Sequence, residues 1–151
     1  MQPGNSVRLR YGYVVTCTGA DRDADGAITA VHCDYLPDTK SGTPGADSVK
    51  VKGNIHWVSV AHACETEIRL YDRLFKTAQP GQGTGDFLDD INSDSVRVIR
   101  AQLEPMLKDA AAEDRFQFER HGYFVADRVD SKPGAPVFNR TVTLKDSWGK
   151  A

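Results

Sequence analysis

Arg115-Phe116-Gln117-Phe118-Glu119-Arg120-His121-Gly122-Tyr123-Phe124-Val125 is the most plainly two-faced stretch of this 151-residue chain. In an extended strand, successive side chains point to opposite faces, so Phe116 and Phe118 share one side and Gln117 and Glu119 the other. Two aromatics anchored in a core would hold the polar side chains out on a rigid support. Gly122 would relax the backbone as a bulge or bend. Gln117 is thus presented rather than buried. Its amide carries both a donor and an acceptor, which suits a base edge and equally suits a neighbouring strand.

The same alternation recurs on either side. Val7 to Val15 reads as one strand, with Val7, Leu9, Tyr11, Tyr13 and Val15 on a core face and Arg8 and Arg10 together on a basic face. Asp21 to Gly26 is a turn that returns the chain as Ala27 to Tyr35, giving a β-hairpin. Residues 37–47 read as a surface loop. Val49 and Val51 alternate with Lys50 and Lys52 until Gly53 breaks the run, and Glu67 to Phe75 is another extended segment with Asp72 spoiling its apolar face. Ser95 to Leu107 is a strand closed by Pro105, and Val137 to Lys145 is the last strand. Helical signals are confined to Asp86 to Asn92 and Lys108 to Asp114. Many short strands with little helix imply an all-β fold, read as a β-barrel. There is no internal repeat and no low-complexity tract.

A chain of this length can bury a real core without disulfides. Cys17, Cys33 and Cys64 are odd in number and lack CxxC spacing, which fits a reducing compartment and points to the cytoplasm. No apolar run approaches the roughly 20 residues needed to cross a bilayer, so no membrane partner is expected. A formal net charge of -2 excludes binding by bulk positive charge, with the acidic excess in residues 61–110. Contacts to a polyanion should therefore come from the two ends of the chain.

Several chemical motifs fail on inspection. Gly81-Gln82-Gly83-Thr84-Gly85 lacks the following Lys of a phosphate cradle and reads as a surface loop. His56, His62 and Cys64 match no established metal spacing, and no metal is expected. There is no nucleophile elbow. Asp89 and Asp90 read as solvated carboxylates on a polar turn, and Trp57 and Trp148 as core or clamp residues. No catalytic residue is assigned. Arg8 and Arg10 remain, two guanidinium groups that could bind phosphates, stack on unpaired bases or pair with carboxylates.

Lys52 to Ser59 (KGNIHWVS), Arg69 to Phe75 (RLYDRLF), Phe116 to Phe124 (FQFERHGYF) and Phe138 to Val142 (FNRTV) occur in that order and spacing in bacterial glutaminyl-tRNA synthetases. From about Val7 to Trp148 the chain resembles their C-terminal anticodon-binding region. The resemblance implies two β-barrels, with residues 1–128 forming a distal anticodon-binding barrel and residues 129–151 returning to a proximal one. It implies that Gln117 hydrogen-bonds the middle anticodon base, a uracil, that Arg8 contacts the first base, and that Arg10 has a weaker part in the same surface. It further implies a parent glutamine-tRNA ligase that uses ATP, an upstream catalytic domain as partner in the same chain, and the anticodon loop of tRNA(Gln) as ligand. The family's HIGH and KMSKS-type motifs do not appear in these residues, so no cofactor and no activity are expected of this piece alone. The opening Met1-Gln2-Pro3-Gly4-Asn5 reads as a chain cut into, and the basic stretch that precedes VRLR in the family is replaced by Gln2 to Asn5. If residues 137–144 complete a barrel whose other strands lie before residue 1, an unpaired edge is expected there. The same barrel on a glutamyl-tRNA synthetase is the close alternative. A β-barrel module binding protein or a small ligand is the alternative of another class.

Overall fold

The computed structural model describes residues 2–83 and 85–144. They form nine strands and three short 3-10 turns, and no α-helix occurs among them, as the alternation implies. The chain divides into two compact units, Met1–Trp57 and Val58–Ala151.

The first unit is a four-stranded sheet of β1 (Ser6–Leu9), β2 (Val14–Arg22), β3 (Ile28–Leu36) and β4 (Gly53–Ile55) in the order β3-β2-β1-β4. The run from Val7 to Val15 is not one strand. Gly12 donates its N–H to the Leu9 carbonyl at 2.8 Å, and Tyr11 sits at a left-handed φ of 58°. The chain therefore doubles back, β1 pairs with β2, and Tyr11 leaves the core face to stand 72% exposed. Alternation cannot reveal such a corner, because the residues on both sides keep a strand-like pattern. The Asp21 to Gly26 turn forms as expected: the Asp23 carboxylate accepts from the N–H groups of Asp25 and Ala27, and Gly26 takes a φ of 81°. The core is Val14, Val15 and Cys17, with buried Thr39 accepting from Val14 N–H at 2.9 Å.

Val49 to Lys52 alternate but form no strand; regular pairing begins only at Gly53, where β4 runs parallel to β1. A Cβ at Gly53 would stand 2.8 Å from Val7 Cγ1, so glycine leaves room for the Val7 side chain across the pair.

The second unit is a five-stranded sheet of β5 (Cys64–Tyr71), β6 (Val96–Leu103), β7 (Arg115–Phe118), β8 (Gly122–Ala126) and β9 (Val137–Val142) in the order β6-β5-β9-β8-β7. Its core gathers Ile68, Leu107, Phe124, Ala126 and Phe138, with Phe116 and Phe118 packed against them. Burying Phe138, which is wholly inaccessible, contributes about 2 to 3 kcal/mol. β5 stops at Tyr71 rather than running to Phe75, because the Asp72 carboxylate accepts from Arg73 N–H and turns the chain; Phe75 keeps one isolated bridge to Ile91. Asp86 caps the 3-10 turn Phe87–Asp90 that the sequence suggests. The later turn falls at Pro105–Asp109 instead of 108–114, since Pro105 fixes its first φ while Asp114 accepts from Ala111 N–H in a separate turn.

Neither sheet closes into a barrel among the described residues. Closure needs continuous pairing around the edge, and β4 offers three residues and β7 four. β9 is paired on both sides, parallel to β5 and antiparallel to β8, so the expected open edge is not found within Val137–Val142.

Candidate nucleic-acid interface

β7 is an edge strand of the second sheet, and the alternation is realised from Arg115 to Phe118. The chain then turns back at residues 119–121 into β8, so the stretch is a hairpin, and Glu119 lies past the strand, half-buried, off the face expected of it. Phe118 stacks on Phe124 with centroids 4.3 Å apart, and Phe116 and Phe118 meet Phe138 edge-on at 5.7 and 5.4 Å. With these rings anchored, Arg115 and Gln117 are left exposed. The Gln117 carboxamide makes no hydrogen bond with the described residues, so its donor and acceptor are open to a ligand. Gln117 pairs across the ladder with Tyr123, itself 46% exposed. Arg115, Gln117, Tyr123, Val125 and Thr141, over Phe116 and Phe124, line an open groove of about 610 Å3.

The backbone beneath this groove is tightly specified. Gly122 has a φ of 138°, and a Cβ there would fall 2.4 Å from the Val142 carbonyl oxygen. Only glycine fits this approach, which answers the expected bend. The next pairing step, Tyr123 to Phe124, carries a register shift, and Thr141 Oγ1 donates to the Tyr123 carbonyl at 3.1 Å.

Arg8 is differently employed. Its Nη1 donates to the Thr39 carbonyl at 2.7 Å and, more distantly, to the Gly12 carbonyl and Ser41 Oγ, while Nη2 donates to the Ala46 carbonyl. This half-buried guanidinium staples the 39–46 loop to the corner between β1 and β2. Arg10 lies past the end of β1, with its guanidinium 5.0 Å from the centre of the Tyr11 ring and its carbonyl accepting from Trp57 Nε1 at 3.0 Å. The two arginines therefore do not lie on one strand, because β1 ends at Leu9 between them.

The other candidates resolve into structure. Gly81 N–H donates to Asp90 Oδ2 at 2.8 Å, so the glycine loop already binds a carboxylate of its own chain. Asp90 is consequently buried at 7% exposure, which corrects its reading as a solvated group. Thr84 and Trp148 lie outside the described residues. Among the described residues no three His, Cys, Asp or Glu side chains stand together as a metal site, and His62 Nδ1 is instead 2.9 Å from Ser59 Oγ. No helix among them is long and apolar enough to cross a membrane.

A polar network in the second unit escapes the sequence reading. Arg69 on β5 contacts Asp130 at 2.7 Å and Glu67 at 2.9 Å, and reaches Asp127 at 3.6 Å. Bonds to Asp130 and then Glu67 raise its already high pKa. Asp127 accepts from the N–H groups of Asp130 and Val129 and from Asn139 Nδ2, and these bonds lower its pKa to about 2. The Asp127–Asp130 spacing is a side-chain-to-backbone turn signal that could have disclosed the turn, though not its partner Arg69.

Models described as the anticodon-binding domain of class I tRNA synthetases for glutamate and glutamine match residues 54–127 and 1–36. The chain belongs to this family of anticodon-binding domains. It is 73% identical over 148 residues, 98% of its length, to the glutamine–tRNA ligase of Cupriavidus metallidurans, covering 25% of that protein. It is similarly 73% identical to that of Ralstonia nicotianae, covering 26%, and 61% identical over 146 residues to that of Bordetella avium, covering 25%. The chain thus spans about a quarter of the length of these relatives.

Proposed function

We propose that this chain reads the anticodon of tRNA(Gln) as part of a cytoplasmic glutamine–tRNA ligase. The observation that carries the reading is Gln117: an exposed carboxamide, without a partner among the described residues, on a strand held by Phe116 and Phe118. Its N–H and C=O can face the complementary carbonyl and N–H of an unpaired uracil, the middle base of the anticodon. Arg8 is assigned to the first base, and Arg10 has a weaker part in the same surface. Arg8 also orders the 39–46 loop, so its loss would act on the surface as well as on the base.

The whole protein's reaction, joining glutamine to tRNA with ATP, belongs to the same proposal, and the relatives' names support it. The division into a distal barrel of residues 1–128 and strands 129–151 returning to a proximal barrel is likewise proposed for the whole protein. The Gly81 loop is a poor fit for ATP, since its N–H group faces Asp90 and acidic Asp86 and Asp89 stand beside it. ATP is therefore assigned to a catalytic domain outside these residues.

The test is fluorescence anisotropy of the chain with labelled anticodon stem-loops, CUG against the same loop with its middle base changed, at two salt concentrations. Phosphate contacts make binding fall with salt, and Gln117 makes it favour CUG. Gln117→Ala should remove that preference. Equal binding of both loops by the unaltered chain would overturn the reading.

A further inference from the structure

We infer that Tyr123 is the stacking wall for the nucleotide whose base edge meets Gln117, with Arg115 placed for its phosphate. This inference rests on the reading of Gln117 above and deepens it by assigning the rest of the groove. Gln117 and Tyr123 are directly opposed partners of an antiparallel pair, so their side chains leave the same face about 5 Å apart. Arg115, two residues earlier on β7, shares that face and has no ion-pair partner among the described residues.

An amide standing in water gains little from a base, because each hydrogen bond formed replaces one to solvent. A flat ring beside it changes the balance: it holds the plane of the base and removes water from one side. Tyr123 supplies such a ring, 46% exposed although it lies on a strand whose neighbours Gly122 and Phe124 are buried. The groove's volume, about 610 Å3, lies within the ~300–1,000 Å3 of small-ligand sites and suits one splayed nucleotide. Its wall is fixed by the Thr141 bond to the Tyr123 carbonyl, so the ring's backbone is set before a ligand arrives. The occupant is an unpaired pyrimidine nucleotide, with its base on Tyr123, its hydrogen-bonding edge on Gln117 and its phosphate toward Arg115.

The experiment compares the unaltered chain with Tyr123→Ala, Tyr123→Leu, Tyr123→Phe and Gln117→Ala, using the CUG stem-loop and its middle-base variant. Circular dichroism first establishes that each protein is folded. Stacking tolerates any base, so Tyr123→Ala should weaken both loops about 5- to 100-fold while leaving the ratio between them close to that of the unaltered chain. Tyr123→Leu, which keeps apolar bulk without the ring, should weaken them similarly; Tyr123→Phe should stay within about twofold. Gln117→Ala should instead collapse the ratio. If Tyr123→Leu binds CUG as the unaltered chain does while Gln117→Ala still collapses the ratio, the stacking wall is refuted and the Gln117 reading stands. If Gln117→Ala leaves the ratio unchanged, or the unaltered chain prefers neither loop, the reading of Gln117 fails and Tyr123 falls with it.

Discussion

The corner between β1 and β2 and the hairpin of β7 and β8 both pair a short strand with a polar side chain of obvious recognition chemistry, and they use it in opposite ways. Arg8 is surrounded by carbonyls of a long irregular loop, which lacks ladder partners and must find donors elsewhere. A guanidinium with five N–H donors meets that need, and much of its capacity is turned inward. Gln117 has a regular strand beneath it, whose backbone is already paired and whose stability comes from phenylalanine rings on the opposite face. Its amide is therefore left outward. What a side chain can offer a ligand depends on what its neighbours leave unsatisfied, more than on its own chemistry.

Removing the inward-facing group should have the largest effect on stability. Arg8→Ala leaves the Thr39 and Ala46 carbonyls without their charged donor, and bonds of this kind contribute about 1.5 to 3 kcal/mol. Amide exchange in residues 39–48 should accelerate correspondingly, on the order of 10- to 100-fold, with the second unit unchanged. Unaltered protection in that loop would show that its own turns, such as Ser48 to Gly45, suffice to hold it, and the contrast with Gln117 would disappear.

The second unit also contains an inward-facing polar network, and acid should separate it from the exposed amide. Asp127 titrates near 2 in the folded chain against about 3.9 when unfolded. A lowered carboxyl stabilises the fold above its unfolded pKa, and that contribution is lost as pH falls from about 4 through 2. It amounts to about 2 kcal/mol at neutral pH. Urea unfolding of the unaltered chain at pH 7 and pH 2.5 should therefore show a larger loss than in Asp127→Asn, which has no carboxylate to protonate. Equal acid losses in the two proteins would remove Asp127 from the account.

These contrasts were unevenly legible in the sequence. The faces of β7 could be read because period-two alternation is a local signal, and Phe116, Phe118 and Gln117 took the sides it assigns. The turn at Asp23 and the capped turn at Asp86 were legible for the same reason, since each is made by a side chain bonding its own neighbours. The corner at Tyr11 was hidden: Gly12 offered one breaker among residues that otherwise alternate, and the strand ended between Arg8 and Arg10 without a compositional sign. Arg69 with Asp127 and Asp130 was hidden too, because β5 and the turn after β8 are joined by sheet order and lie far apart in the chain. Open sheets instead of a barrel follow from how short β4 and β7 are, and strand length is what alternation fixes least well.

The smallest expected change is the most discriminating. Gln117→Ala removes a side chain that bonds nothing among the described residues, and exposed substitutions of this type stay within about 0.5 kcal/mol. Phe116 and Phe118 remain in place beneath it, so the strand itself should be unmoved. Thermal and urea midpoints should match those of the unaltered chain even where CUG preference is lost. A loss above about 1 kcal/mol would mean that the amide supports its own strand, as Arg8 supports its loop. The difference between the two regions would then be one of degree, and a fall in binding on mutation could no longer be assigned to a missing contact with the base.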